Sequence, residues 1–228
     1  MRRLSFLFAA LLFSYAAFAD EASFKFRTPA DVQSFAQAYY LKPRPELVAP
    51  MIEAMSMTGY FQRATSSPPF IGFFSEVFLD NRDRLPDWQA LIDKQDTETK
   101  AALLQAVALS KAGGATTVDG NSGSALDTYW GAFFASGNPA YINKLVDQLR
   151  FWDERDSFVL FMAGYAAKWS LASNAQSHAL VRSILIWPQS SRDTRTQELI
   201  SELLAQGPPR VKQDAFAIMR KQQETGKW

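Results

Sequence analysis

The chain has 228 residues, with 24 Lys and Arg side chains, 23 Asp and Glu side chains, one His and no Cys. Because 47% of the residues are hydrophobic, the chain can bury enough surface to offset its ordering entropy, which excludes a disordered protein. The lack of Cys excludes disulfides, cysteine catalysis and zinc–thiolate sites. The single histidine, His178, excludes a metal site with several histidine ligands, and a formal net charge of +1 gives no reason to expect nucleic-acid binding.

Residues 1–19 have the three-part pattern of a secretory signal peptide. A basic start at residues 1–3 precedes an apolar run from Leu4 to Phe13, and small residues at 17–19 precede Asp20. The run is shorter than the roughly 20 residues that a membrane span needs. The pattern predicts export and cleavage before Asp20, with an uncleaved N-terminal anchor as the alternative.

Removal of residues 1–19 leaves 209 residues with 22 basic and 23 acidic side chains, a net charge of −1. An exported protein without Cys depends on its apolar core for stability, and a chain of this length can form one. This composition suits the periplasm of a Gram-negative bacterium. We therefore expect a periplasmic or secreted protein.

Apolar residues recur at the three- and four-residue spacing of amphipathic helices along most of the chain. Thr28-Pro29 opens the first stripe with an N-cap and a proline at the first helical position. No segment alternates with period two. The sequence predicts an all-α fold with a single domain at residues 20–228, either an irregular stack of helix pairs or a compact bundle. The stripes fall, in chain order, at residues 32–40, 47–55, 70–78, 103–108, 126–134, 142–149, 180–185, 199–204 and 211–219.

Two segments depart from the amphipathic pattern. Residues 158–172 contain only Lys168 and Ser170 as strongly polar side chains, which predicts a central helix that is buried on every side. Residues 113–124 are rich in Gly, Ser and Thr, which predicts a flexible loop. Because the composition is the same on both sides of this loop, we expect one domain rather than two.

A degenerate repeat occurs three times, as an aromatic-rich helix, a short turn ending in Asn, and a second amphipathic helix. The turns end at Asn81, Asn138 and Asn174, spaced by 57 and 36 residues. The second spacing is similar to that of tetratricopeptide repeats, whose signature residues are absent. Asn tolerates the left-handed conformation that ends helices, so we expect these residues to be turn and cap residues. In an alternative interpretation, the three turns lie along one edge of a stacked array of helices and help to form a groove.

Two tryptophans, Trp187 and Trp228, lie outside the clear apolar stripes. They are candidates for a contact surface, together with the three asparagines.

The segments Pro-Pro-Phe-Ile-Gly-Phe-Phe at residues 68–74 and Lys-Trp-Ser-Leu-Ala-Ser-Asn at residues 168–174 resemble parts of uncharacterised exported all-helical proteins of Gram-negative bacteria. The resemblance implies no activity and transfers no functional residue.

No motif assembles a catalytic, cofactor or metal site. His178 begins an amphipathic helix and has no nucleophile elbow beside it. The loop that starts at Asp119 resembles a calcium loop, but Trp130 occupies the position that requires Glu. Asp153 and Glu154 follow a tryptophan, as in a glycosidase site, but neighbouring residues do not face each other on a helix. Acids there favour the start of the next helix.

These observations favour a non-enzymatic periplasmic adaptor that holds an envelope protein on a surface of stacked helices. The alternatives are a hydrolase of cell-wall glycan or peptide, and a carrier of a lipid or small ligand. We expect no cofactor, and no membrane span after signal cleavage. Basic side chains at residues 210–227 permit weak contact with anionic lipid headgroups, although a solvated helix face is the main interpretation.

Overall fold

The computed structural model describes residues 25–62, 67–118, 120–187 and 192–228. The predicted signal peptide lies outside the described residues. Within those ranges the chain forms ten α-helices, several short 3₁₀ helices and no strand, which confirms the all-α prediction. The α-helices are α1 (Pro29–Ala38), α2 (Val48–Met57), α3 (Ser67–Asp80), α4 (Leu85–Ile92), α5 (Thr97–Ala112), α6 (Gly123–Ser136), α7 (Pro139–Asp147), α8 (Phe158–Ser177), α9 (Ala179–Ile186) and α10 (Thr194–Glu224).

The predicted helix boundaries follow from local capping chemistry. The Asp31 amide donates to the Thr28 hydroxyl at 3.2 Å, and the Thr28 amide donates to the Asp31 carboxylate at 2.8 Å, which completes a capping box at the start of α1. Gly137 ends α6 with a φ of 67°, and the Asn138 side chain then caps α7. The sequence predicted both the Thr28 cap and the cap role of Asn138.

The core consists of two apolar clusters, one formed mainly by α1–α5 and the other by α6–α10. Helices α3 and α6 lie where the two clusters meet. Gly72 of α3 lies against the backbone of Thr128, and Gly131 of α6 lies against the backbone of Pro69. Because the earlier residue of one helix meets the later residue of the other, α3 and α6 run antiparallel. These two helices are the most buried part of the molecule.

The prediction of a buried central helix at residues 158–172 is wrong. The segment is helical, as part of α8, but one side is open to solvent, where Val159 is 72% exposed and Trp169 is 42% exposed. The central positions belong to α3 and α6, whose glycines permit backbone contact. The apolar stretch misled the prediction because its only charged side chain, Lys168, faces inward.

The prediction of a third turn in the repeat, at Asn174, is also wrong. Asn174 lies within α8, where its side-chain amide donates to the Ser170 carbonyl at 3.0 Å. The helix continues to Ser177 and ends at His178, which has extended backbone angles. An Asn side chain can satisfy the carbonyl four residues earlier without ending the helix.

The predicted loop at residues 113–124 is shorter than expected. Residues Ala115–Thr117 form a 3₁₀ helix in which Ala115 is fully buried, and α6 already begins at Gly123. Gly113 ends α5 in the left-handed conformation, with a φ of 108°. The Gly-rich composition here serves helix termination and close packing.

Candidate functional site

Lys168 is the only charged residue of α8, and its side chain is 1% exposed. Its ammonium group donates to a carboxylate oxygen of Glu202 on α10 at 2.6 Å. The same nitrogen lies 4.2 Å from the ring centroid of Trp152. A buried ammonium requires such partners, because desolvation otherwise disfavours the charge strongly.

Arg195 extends the Lys168 pair into a network that joins three elements. Its guanidinium holds both oxygens of Asp153, with Nε–Oδ2 at 2.6 Å and Nη2–Oδ1 at 3.0 Å. Nη1 also donates to Glu198 at 3.1 Å and to Glu202 at 3.4 Å. The network ties α8 to α10 and to the 3₁₀ helix Gln148–Asp153.

An open depression of about 460 Å³ adjoins this network. All of its lining residues belong to α10. Ligand pockets enclose most of the surface of a small molecule, whereas a depression lined by a single helix does not. The lining residues are Thr194, Gln197, Glu198, Ser201 and Glu202.

The inward position of Lys168 sets the rotation of α8. Val159 precedes Lys168 by nine residues, or 2.5 helical turns, and so lies on the opposite side of the helix. Phe158 and Trp169 are also exposed, by 47% and 42%. We call this side the apolar face of α8. It consists of Phe158, Val159, Met162, Tyr165, Ala166 and Trp169.

The acidic pair that follows Trp152 forms an ion pair and stabilises the turn before α8. Arg195 holds the pKa of Asp153 below its ordinary value. A Glu154 carboxylate oxygen accepts backbone N–H groups of Asp156 at 2.7 Å and Ser157 at 3.3 Å, which lowers the pKa of Glu154. A glycosidase acid needs a raised pKa. Neither carboxyl meets that requirement. The N-cap of α8 is Ser157, and its first turn contains neither acid.

A buried carboxylate that the sequence analysis did not single out, Glu76 of α3, faces the turn after α5. It accepts the Ala115 backbone N–H at 2.8 Å and interacts with the Tyr141 hydroxyl. Burial raises the pKa of Glu76. A Cβ at Gly114 would overlap the Glu76 carboxylate, so glycine is required there and the turn covers the acid. Glu76 therefore has a structural role.

His178 joins the α8–α9 junction to an aromatic cluster. Its Nδ1 lies 3.4 Å from the Tyr40 hydroxyl, and its ring centroid lies 4.8 Å from that of Phe134. Burial lowers the pKa of His178. Among the described residues no carboxylate forms a hydrogen bond with this imidazole, so the geometry is that of a packed histidine rather than a catalytic triad.

The stability of the protein should decrease with acidification because of His178. Its pKa is lower in the folded protein than in the unfolded chain, so the unfolded chain binds the proton first as the pH falls. The contribution is complete above about pH 6.5 and is lost as the pH falls from there toward the folded-state pKa. We expect the denaturation midpoint to fall between pH 7.5 and 5.5 by more in the wild type than in His178→Gln. Equal decreases in the two proteins would contradict this expectation.

The five candidate contact residues lie in different local environments. Asn138 is exposed and caps α7, while the Asn81 side chain donates to the Val77 carbonyl at 2.8 Å. Trp187 is 71% exposed at the end of α9. Trp228 packs instead against Phe158 and Phe161, with ring centroids 5.5 and 5.0 Å apart. Asn174, as described above, bonds within α8.

Sequence reasoning missed the roles of Lys168 and Glu76. The available signal was a charged residue inside an apolar helix, because such a residue requires a buried partner. Lys168 is the only charged residue of α8, and the only other charged residue of α3 besides Glu76 is the terminal Asp80. In the described ranges no group of three or more His, Asp or Glu side chains comes together in a way that could hold a metal ion. No helix in those ranges is long and apolar enough to cross a membrane.

Comparisons of the chain with protein-family models, curated proteins and solved structures find no match.

Proposed function

We propose that this protein is a non-enzymatic adaptor of the periplasm that binds an envelope protein through the apolar face of α8. The observation that carries the proposal is the orientation of α8. The helix buries Lys168 and leaves Phe158, Val159 and Trp169 in contact with solvent. Exposed apolar surface of this kind is typical of protein interaction sites.

The shape of the apolar face of α8 suits a helical segment of a partner. From Phe158 to Trp169 the face extends roughly 16 Å, which is the length of three helical turns. Burial of a large apolar side chain contributes about 1.5–3 kcal/mol when it is fully exposed beforehand. Because Phe158, Val159 and Trp169 are only partly exposed, burying each of them on binding would contribute about half of that free energy. A partner with apolar residues at helical spacing would cover them.

Site-specific photocrosslinking in the periplasm tests this proposal. A photoreactive residue at Val159, and separately at Trp169, should give an adduct with the same partner, identified by mass spectrometry. The matched control is the exposed Gln105 on α5, which should give none. Val159→Glu should abolish the adduct formed from position 169, because a buried unpaired carboxylate opposes docking.

Two outcomes would overturn the proposal. The absence of an adduct from both α8 positions would show that the face has no protein partner, and an adduct with a second copy of the chain would show self-association instead. Release of soluble products from peptidoglycan by the purified protein would establish the hydrolase alternative.

A further inference from the structure

The end of the chain is cationic on an otherwise acidic molecule. Residues 208–228 carry five basic and two acidic side chains, a net charge of +3. Residues 20–207 carry 17 basic and 21 acidic side chains, a net charge of −4. Helix α10 is kinked at Gly207, where the φ of 70° is non-helical, so this cationic end is a separate helical segment.

One side of this segment presents cations around an exposed aromatic ring. Lys212, Phe216 and Arg220 are spaced by four residues and therefore lie on the same side of the helix. All three are exposed, whereas Val211 and Ala215, about 100° around the helix from Lys212 and Phe216, are buried.

The Lys212 ammonium lies 5.7 Å from the Phe216 ring centroid. Lys221 is also exposed and lies about 100° around the helix from Arg220. We call Lys212, Phe216, Arg220 and Lys221 the basic face of α10.

The charges of the basic face are available to an external partner. Within the described ranges Lys212, Arg220 and Lys221 form no ion pair. Arg210, by contrast, is paired with Asp214 at 3.0 Å. Phe216 is 50% exposed in spite of its size. Three cations and a protruding aromatic ring match a surface that is anionic outside and apolar beneath.

We propose that the basic face of α10 binds an anionic lipid surface. The cations would contact the headgroups, and Phe216 would enter the boundary between headgroups and acyl chains. An exposed ring between cations favours a lipid surface over a purely polar polyanion. Each Lys or Arg near an anionic surface strengthens binding by about five-fold, so contact is peripheral and reversible. The proposal goes beyond the adaptor function and uses none of the residues of the apolar face of α8.

Co-sedimentation of the purified protein with vesicles tests the proposal. Vesicles with about 30 mol% phosphatidylglycerol in phosphatidylcholine should bind the protein at about 50 mM NaCl and release it at about 500 mM. Vesicles of phosphatidylcholine alone should not bind it. The triple variant Lys212→Gln/Arg220→Gln/Lys221→Gln should bind on the order of 100-fold more weakly. Phe216→Ser should weaken binding without changing its dependence on salt.

A triple variant with the same change in net charge serves as the control. Lys94→Gln/Lys111→Gln/Arg182→Gln removes three exposed cations outside α10 and should bind as the wild type does. Equal weakening by the two triple variants would overturn the proposal, because the effect would then come from total charge. Failure to bind the anionic vesicles at low salt, or equally strong binding to duplex DNA, would also overturn it.

Discussion

Gly131→Ala is expected to lower the free energy of unfolding by about 3 kcal/mol or more. A Cβ at this position would overlap the carbonyl oxygen of Pro69 on α3, and a backbone atom cannot rotate away as a side chain can. The two most buried helices would have to separate. Denaturation in urea, followed by circular dichroism, measures the change.

Two further glycine substitutions show whether the close approach is the cause. Gly72→Ala should be as harmful as Gly131→Ala, because a Cβ there would overlap the Thr128 carbonyl on α6. Gly123→Ala, in the first turn of α6, should instead raise the stability by about 0.5 kcal/mol, because no atom lies within 4 Å of its Cβ position. Similar effects of Gly131→Ala and Gly123→Ala would contradict the close backbone contact between α3 and α6.

Glu202→Gln is expected to destabilise the protein by about 2 kcal/mol, because it leaves the Lys168 ammonium without its ionic partner. Breaking a fully buried ion pair costs about 3–5 kcal/mol. The Glu202 side chain is 36% exposed, so water compensates part of that loss. The free energy of unfolding at pH 7 measures the effect.

Lys168→Met should change the stability by less than about 1 kcal/mol, because it removes the buried charge and keeps a side chain of similar volume. The double variant Lys168→Met/Glu202→Gln should then be more stable than Glu202→Gln alone. A single Lys168→Met substitution that destabilises more than Glu202→Gln does would contradict this description of the pair.

The two proposed surfaces can be separated experimentally. Val159→Glu alters the apolar face of α8 and leaves the cations of α10 in place. The triple substitution at Lys212, Arg220 and Lys221 removes the cations of α10 and leaves the apolar face of α8 unchanged. Loss of the partner adduct and loss of vesicle binding should therefore occur in different variants.

Local features of the fold were predictable because their causes lie within a few residues. The capping box of Thr28 and Asp31 and the Gly137-Asn138 junction depend on side chains and backbone that are neighbours in the chain. Asn174 was misjudged because its choice between ending a helix and bonding within it depends on the packing of α8.

The amino-acid sequence by itself determined the all-α class, the caps at Thr28 and Asn138, and the cationic character of residues 208–228. Composition, helical periodicity and capping chemistry are local properties, so they can be read along the chain. The sequence alone did not determine which helices occupy the centre or which side of α8 is exposed to solvent. Those outcomes depend on the contacts of Gly72 and Gly131 with the facing helix and on the Lys168–Glu202 ion pair. Each of these contacts joins residues that are far apart in the chain. Only the tertiary structure brings such residues together, because their interaction energies exist only once the helices are packed.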